Sequence, residues 1–119
     1  MLLAAAALLA LTACEPRVEY EVSTVAGGDA DRGRTAIRAY GCQTCHTIPG
    51  IPGADALVGP SLAGLGTRAY VGGVLSNTPE NLVMWIQDPK AASPRTAMPD
   101  VGVTPEDARD IASYLYTLR

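Results

Sequence analysis

The stretch Cys42-Gln43-Thr44-Cys45-His46 decides how the rest of this 119-residue chain is interpreted. Two cysteines separated by two residues and followed at once by histidine form the signature of covalent haem attachment. On one short turn each thiol can add to a vinyl group of haem, and the histidine imidazole is then held under the iron as the proximal ligand. The motif therefore predicts one covalently bound haem c, attached at Cys42 and Cys45 and ligated by His46.

Three other roles for these cysteines fit the sequence less well. A thioredoxin-type dithiol belongs to a strand–helix context, whereas the flanks here are rich in Gly and Pro. Zinc prefers four ligands, but Cys14 is the only other cysteine and His46 is the only histidine. A structural disulfide would leave His46 unexplained. Haem attachment is therefore the favoured interpretation.

Composition limits the chain to one small domain. The formal net charge is −3 and there is no basic run, which argues against nucleic acid and anionic membrane surfaces as electrostatic partners. Aromatic side chains are few, with one Trp, five Tyr and no Phe. A buried haem would supply the core that these small side chains lack.

The N-terminal residues have the pattern of an export signal. Residues 2–13 are apolar or small without a break, too short to span a bilayer, which takes about 20 residues, but suited to a secretory signal. The run ends in Leu11-Thr12-Ala13-Cys14, which resembles the bacterial lipobox and implies cleavage before Cys14 and lipidation of that residue. Ordinary cleavage with an incidental Cys14 is the alternative. No Lys or Arg precedes Arg17, so a start upstream of Met1, with a longer signal or an anchor, also stays open.

Three regions are predicted along the chain. Residues 1–13 form a lipoprotein-type signal peptide, residues 14–28 the lipidation site and a tether, and residues 29–119 the haem-binding domain. Alternating apolar and acidic residues between Val18 and Val22 leave a short strand open as an alternative to the tether. This organisation predicts a lipid-anchored domain on the periplasmic side of a bacterial inner membrane.

The domain is predicted to be all-α, with three main helices and long irregular loops that wrap the haem. The first helix runs from about Asp29 to Tyr40, the second from Thr78 to Asp88, and the third from Thr104 to the C-terminus. Gly33 inside the first helix indicates close approach by another element. The loops cover residues 47–77 and 89–103. Asp107 and Asp110 are interpreted as solvated surface on the third helix.

The late loop contains a candidate second iron ligand. Pro99 holds Met98 in an extended backbone, and an unbranched thioether there can point its sulfur inward as a soft ligand. Met84 is the rival, but it lies inside the second helix, where Met more often fills a core or a surface. The sequence therefore favours Met98.

From Asp29 to Arg119 the sequence resembles a class I c-type cytochrome of the mitochondrial-type fold. The attachment motif after the first helix, Gly59-Pro60-Ser61-Leu62 next, and Met98 in the late loop occur in the family's order. The resemblance implies His46 as proximal and Met98 as distal ligand. It also implies roles for four further residues around the haem: the Pro60 carbonyl as acceptor for His46 Nδ1–H, Arg68 and Thr96 at a propionate, and Trp85 near the Met98 sulfur.

Two departures from the mitochondrial type affect what the resemblance implies. No tryptophan stands just before the second helix as a propionate donor; Asn77 is nearby, and Tyr70 is a second candidate to compensate. Lys90 is the only lysine, so a lysine-ringed docking face is absent. A smaller basic rim is expected instead from four arginines, Arg34, Arg38, Arg68 and Arg95.

These features predict an electron carrier rather than an enzyme. His/Met ligation raises the reduction potential relative to two nitrogen ligands and leaves no open iron position. No acid, base or nucleophile is arranged for catalysis. The resemblance suggests redox protein partners at the membrane, such as a quinol-oxidising complex and a terminal oxidase. Three alternatives stay open. Two bind haem: a fixed haem-c subunit, and a gas- or peroxide-reacting protein with a labile distal ligand. The third is a lipoprotein without haem.

Overall fold

A computed structural model describes residues 24–119 of the chain. The fold is mostly helical, as predicted, with one two-stranded sheet. In chain order the elements are α1 (Ala30–Ala39), β1 (Tyr70–Val71), β2 (Leu75–Ser76), α2 (Pro79–Gln87), α3 (Pro89–Ala92) and α4 (Pro105–Tyr116). The predicted signal peptide, the lipidation site Cys14, the alternative strand at 18–22 and most of the tether lie outside the described residues.

The helices begin where the capping residues predict. Asp29 accepts a hydrogen bond from the backbone N–H of Arg32 at 2.8 Å, at the start of α1. Thr78 and Thr104 cap α2 and α4 in the same way, and each is followed by a proline at the first helical position. These residues satisfy N–H groups that the first turn leaves without a helical partner, which is why the sequence locates the starts well.

Helices α1 and α4 cross in close contact at Gly33. An ideal Cβ on Gly33 would overlap the backbone carbonyl of Asp110, so the close approach predicted from this glycine is confirmed. Ile37 and Ile111 pack in the core beside the crossing and are 1% and 2% exposed. The absence of a side chain at one position therefore sets the distance between the two helices.

The interpretation of Asp110 as solvated surface is wrong, and Asp107 is only partly exposed. Asp110 is 2% exposed and accepts hydrogen bonds from Asp29 N–H at 2.8 Å and from Arg32 Nε at 2.7 Å. The hydrogen bond from Arg32 holds the pKa of the Asp110 carboxyl below its ordinary value, against the opposing effect of burial. Asp107 accepts a hydrogen bond from the Tyr40 hydroxyl at 2.6 Å. The reason is that α1, drawn in at the crossing, covers this side of α4.

The two long loops hold more structure than the sequence predicts. Within 47–77, β1 and β2 pair antiparallel, with Tyr70 opposite Ser76. Within 89–103, α3 begins directly after α2, and Asp88 caps it by accepting from Ala91 N–H at 3.0 Å. Several loop side chains also enter the core, including Ile48, Ile51 and Leu65. Among residues 24–119, no helix has the length and apolar character needed to cross a bilayer.

Candidate haem-binding site

A cavity of about 440 Å³ lies between the helices and the two long loops. Its wall includes all eight residues predicted to bind or ligate the cofactor, namely Cys42, Cys45, His46, Pro60, Arg68, Trp85, Thr96 and Met98. Helices α1, α2 and α4 contribute apolar side chains, among them Ile37, Leu82, Ile86, Ile111 and Leu115. The fold therefore brings residues from across the chain to one largely apolar space.

The attachment motif lies on a tight turn at the edge of this cavity. Gly41, which follows the end of α1, has a φ of 77°, a conformation that glycine adopts without steric cost. A 3-10 turn over Cys42–Thr44 follows, and His46 N–H donates to the Cys42 carbonyl at 3.1 Å. The turn thus presents Cys42, Cys45 and His46 to the cavity together.

The geometry does not support a disulfide, a redox-active dithiol or a zinc site at these cysteines. The two sulfur atoms are not joined in a disulfide. Burial raises the pKa of the Cys42 thiol, whereas a redox-active dithiol needs a lowered pKa to form its thiolate. No three His, Cys, Asp or Glu side chains group as a metal site within residues 24–119. A zinc site would lack ligands there.

The His46 ring is oriented by Gly59 and Pro60. Its Nδ1 lies 2.6 Å from the Pro60 carbonyl oxygen, the contact that the family resemblance implies. Because a carbonyl can only accept, Nδ1 carries the proton and Nε2 keeps its lone pair for a metal. An ideal Cβ on Gly59 would lie within 3.0 Å of three ring atoms of His46. Gly59 is held in turn by its N–H, which donates to the Cys45 carbonyl at 2.7 Å.

Met98 is the methionine that faces the same cavity as His46. It is partly buried and lines the wall, and its backbone N–H donates to Thr96 Oγ1 at 3.2 Å. Met84 does not line this cavity and is 40% exposed. The hydroxyl of Thr96 accepts from Met98 and can still donate its own hydrogen into the cavity.

Trp85 and Arg68 are fixed by their surroundings. A Cβ on Gly72 would overlap the Trp85 indole, so the backbone of Gly72 packs directly against that ring. The sequence analysis does not predict this contact, and the pair Gly72-Gly73 in a loop is the only signal for it. The Arg68 guanidinium donates from Nη2 to the carbonyls of Ser61 and Ala63, the latter at 2.8 Å. Its positive charge is therefore held at the cavity wall.

The two candidates for the missing propionate donor differ in position. Asn77 lies outside the cavity wall: its Nδ2 donates to the carbonyls of Leu65 and Arg68, both at 2.9 Å. Tyr116 donates to Asn77 Oδ1 at 2.9 Å, so Asn77 ties a loop to α4. Tyr70, by contrast, lines the cavity and is 62% exposed.

Of the four arginines expected to form a basic rim, one lines the cavity wall. Arg68 lines the wall, whereas Arg34, Arg38 and Arg95 do not. Arg38 instead donates to the Pro52 carbonyl at 2.8 Å. A basic rim on the surface around the cavity therefore stays a prediction.

The residues fit a covalently attached haem. Two thiols, an imidazole with a free Nε2 and a thioether line one apolar cavity, and each is of the type that haem c requires. Together with the helical fold they define a class I c-type cytochrome with one haem.

The comparison with known families agrees. The family model for cytochrome c matches residues 30–119, and the chain belongs to that family. Cytochromes c of this class carry one covalent haem c, which is the cofactor of this chain.

Individual relatives add detail. The sequence is 32% identical over 91 residues to cytochrome c oxidase subunit 2 of Alkalihalophilus pseudofirmus, covering 76% of this chain and 26% of that protein. It is 30% identical over 88 residues to cytochrome c oxidase subunit 2 of a Bacillus species (strain PS3), covering 71% of this chain and 25% of that protein. The chain thus spans about a quarter of the length of these curated relatives.

Solved structures show the same fold. Cytochrome cH from Methylobacterium extorquens is 31% identical with a TM-score of 0.55, and the match covers 76% of this chain and 99% of that one. Cytochrome c2 from Paracoccus denitrificans has a TM-score of 0.56 at 22% identity, covering 76% of this chain and 95% of that one, a likeness of fold alone.

Proposed function

We propose that this chain is a monohaem electron carrier whose iron is ligated by His46 and Met98. The observation that carries the proposal is that both side chains line one cavity, with the His46 ring already oriented by the Pro60 carbonyl at 2.6 Å. The bound haem c would supply a one-electron redox couple. The chain contributes the two axial ligands and an apolar wall.

The two ligands differ in a way that suits electron transfer. His46 and Met98 would hold the haem iron through an imidazole and a thioether, and this ligand pair would leave no position for oxygen or a substrate. The softer thioether favours the reduced state and raises the potential. The short turn that carries His46 and the hydrogen bond from Met98 N–H to Thr96 Oγ1 would hold both side chains in place during one-electron transfer.

We propose membrane-associated redox proteins as partners, among them a quinol-oxidising complex and a terminal oxidase. The cytochrome c oxidase subunit 2 relatives support an oxidase as acceptor. We further propose a lipid anchor at Cys14 that holds the domain at the periplasmic side of the inner membrane. The lipobox-like sequence around that residue supports this placement.

A second candidate function is a haem-c subunit fixed to a larger oxidoreductase. The observation that favours it is that two oxidase subunits resemble this chain over only a quarter of their own length. Solubilised membranes separated by size would distinguish the two. Haem c migrating with oxidase activity supports the fixed subunit, and haem c migrating alone supports the carrier.

The visible spectrum of the protein, made in a host with periplasmic haem-attachment machinery, tests the ligation. Low-spin bands and a weak far-red band of methionine-to-ferric-iron charge transfer are expected. Met98→Ala should abolish the far-red band, and the control Met84→Ala should keep it. A wild-type spectrum from Met98→Ala would refute the ligand assignment. Rapid carbon monoxide binding by the reduced wild type would favour the gas- or peroxide-reacting alternative.

A further inference from the structure

The segment that carries Met98 is hydrogen-bonded to the fold at its two ends. Within residues 24–119, no backbone-to-backbone hydrogen bond joins residues 97–103 to the rest of the chain. At the start of the segment, Met98 N–H donates to Thr96 Oγ1 and Lys90 Nζ donates to the Thr96 carbonyl, both at 3.2 Å. The position of Met98 therefore also depends on what fixes the far end, at Thr104.

Three residues from the end of α1 and the start of α4 form a hydrogen-bonded cluster at Thr104, which we call the Tyr40 clasp (Tyr40, Thr104 and Asp107). The Tyr40 hydroxyl donates to Asp107 Oδ2 at 2.6 Å, and Thr104 N–H donates to the Tyr40 hydroxyl oxygen at 3.4 Å. The Thr104 hydroxyl donates to the same carboxylate oxygen at 3.0 Å and accepts from Asp107 N–H at 3.2 Å. Tyr40 thus closes a ring with the first turn of α4.

This arrangement modifies an ordinary helix start. In a capping box the third helical residue accepts directly from the N–H of the cap residue. Here Tyr40, the residue that follows α1, lies between the two: its hydroxyl oxygen accepts from Thr104 N–H, and its O–H donates to Asp107. A hydrogen bond to a carboxylate is shorter and stronger than one between neutral groups. The cap of α4 therefore also ties α4 to the end of α1.

The position of the Tyr40 clasp relates it to the cavity. Tyr40 lines the wall, two residues before the attachment site Cys42, and Val103, which lines the wall too, directly precedes Thr104. The clasp therefore joins the attachment side of the cavity to the end of the Met98 segment. Its loss would free that end while leaving the contacts at Thr96 in place.

We propose that Tyr40 and Asp107 are positioning residues that hold the Met98 segment against the cavity and so limit how readily Met98 leaves the iron. This inference rests on the proposed His46/Met98 ligation. Neither residue is a ligand; each acts through Thr104 and the backbone of the segment.

Titration of the ferric haem-loaded protein with imidazole tests the proposal, because imidazole competes with Met98 for one iron position. Loss of the far-red band reports the exchange. Tyr40→Phe keeps the ring and removes the hydroxyl, and we expect it to raise the apparent affinity for imidazole roughly threefold to tenfold, which corresponds to the net contribution of one ordinary hydrogen bond. Asp107→Asn should act in the same direction, and the double variant should add little to either.

Tyr114→Phe is the matched control. The Tyr114 hydroxyl donates to the Pro49 carbonyl at 2.6 Å, on the loop that follows His46, and Tyr114 does not line the cavity. The control should leave the imidazole affinity at the wild-type value. Equal affinities in wild type and Tyr40→Phe, or equal increases in both tyrosine variants, would overturn the proposal. Asp107→Asn provides the same comparison if Tyr40→Phe does not fold.

Hydrogen–deuterium exchange separates this proposal from the ligation on which it rests. Amides of residues 97–103 should exchange faster in Tyr40→Phe than in Tyr114→Phe. A wild-type protein without the far-red band would refute Met98 as ligand. Hydrogen–deuterium exchange of residues 97–103 would then still show whether the Tyr40 clasp holds the segment. Equal exchange in the two variants would refute the clasp whatever the spectrum shows.

Discussion

Gly33 in α1 lies directly against the backbone carbonyl of Asp110 in α4, with no room for a Cβ between them. The Asp110 side chain extends from the same position toward the start of α1, where Arg32 and the N–H of Asp29 bind it. A missing side chain on one helix and a buried carboxylate on the other thus fix the same crossing. Both α1 and α4 line the haem cavity, so this contact sets part of its shape.

Gly33→Ala should destabilise the protein by about 1–3 kcal/mol, the usual cost of overpacking a core. In an open helix the same change would stabilise by about 1 kcal/mol, because alanine has the better helix propensity. The sign of the effect therefore decides between packing and propensity. Urea unfolding of the haem-loaded protein measures it, and an unchanged or increased free energy of unfolding would contradict the close contact.

Acid should remove the stabilisation that Asp110 provides. The hydrogen bond from Arg32 lowers the pKa of Asp110 in the folded protein, while the carboxyl of an unfolded aspartate has a pKa of about 3.9. A carboxyl with a lowered folded pKa stabilises the fold above the unfolded value and loses that contribution as the pH falls through the folded value. We therefore expect Asp110→Asn to be less stable than wild type at pH 7, and the difference to shrink below about pH 4.

Urea unfolding of both proteins across this pH range measures the difference. Asp31→Asn, which changes an exposed carboxylate on α1, is the control. It should stay close to wild type at pH 7. A difference between Asp110→Asn and wild type that does not vary with pH would contradict an ionised Asp110 in the fold.

The helices and the haem-attachment motif can be predicted from the sequence better than the polar contacts between distant residues. Caps such as Thr78 and Thr104 act within a few residues, and the attachment motif has fixed spacing, so both can be read locally. The burial of Asp110 depends on which helix covers α4. That helix is α1, and its cap residue Asp29, which binds Asp110, lies 81 residues earlier in the chain. A periodic pattern contains no such information.

The same limit explains the other differences. In the sequence, Asn77 lies at the end of the predicted loop 47–77 and just before a capped helix, which is consistent with a site residue, but its partners Leu65 and Tyr116 come from elsewhere in the chain. The short strands at Tyr70 and Ser76 lack any periodic signal because each has only two residues. The eight predicted site residues nevertheless line one cavity, because the family resemblance implies their long-range arrangement.

Gly59→Ala should disturb the ligand side of the cavity. Gly59 does not have a positive φ, so alanine fits the backbone, but its Cβ would lie within 3.0 Å of three His46 ring atoms. We expect a stability loss of about 1–3 kcal/mol from the forced displacement and a smaller low-spin fraction in the visible spectrum. Gly53→Ala is the control, because nothing lies near its Cβ while its φ is +76°. It should lose stability through backbone strain and keep the wild-type spectrum.

Alkali should destabilise the protein through Tyr116. Burial, with a smaller effect from the charge of Glu80, raises the pKa of Tyr116 from 10.0 to about 12, and its hydroxyl donates to Asn77. A raised folded pKa stabilises the fold below the unfolded value, and the contribution is lost as the pH rises from about 10 through about 12. The free energy of unfolding of wild type should therefore fall more steeply over this range than that of Tyr116→Phe. Tyr70→Phe, which removes an exposed hydroxyl, should follow wild type, and parallel curves for wild type and Tyr116→Phe would contradict the prediction.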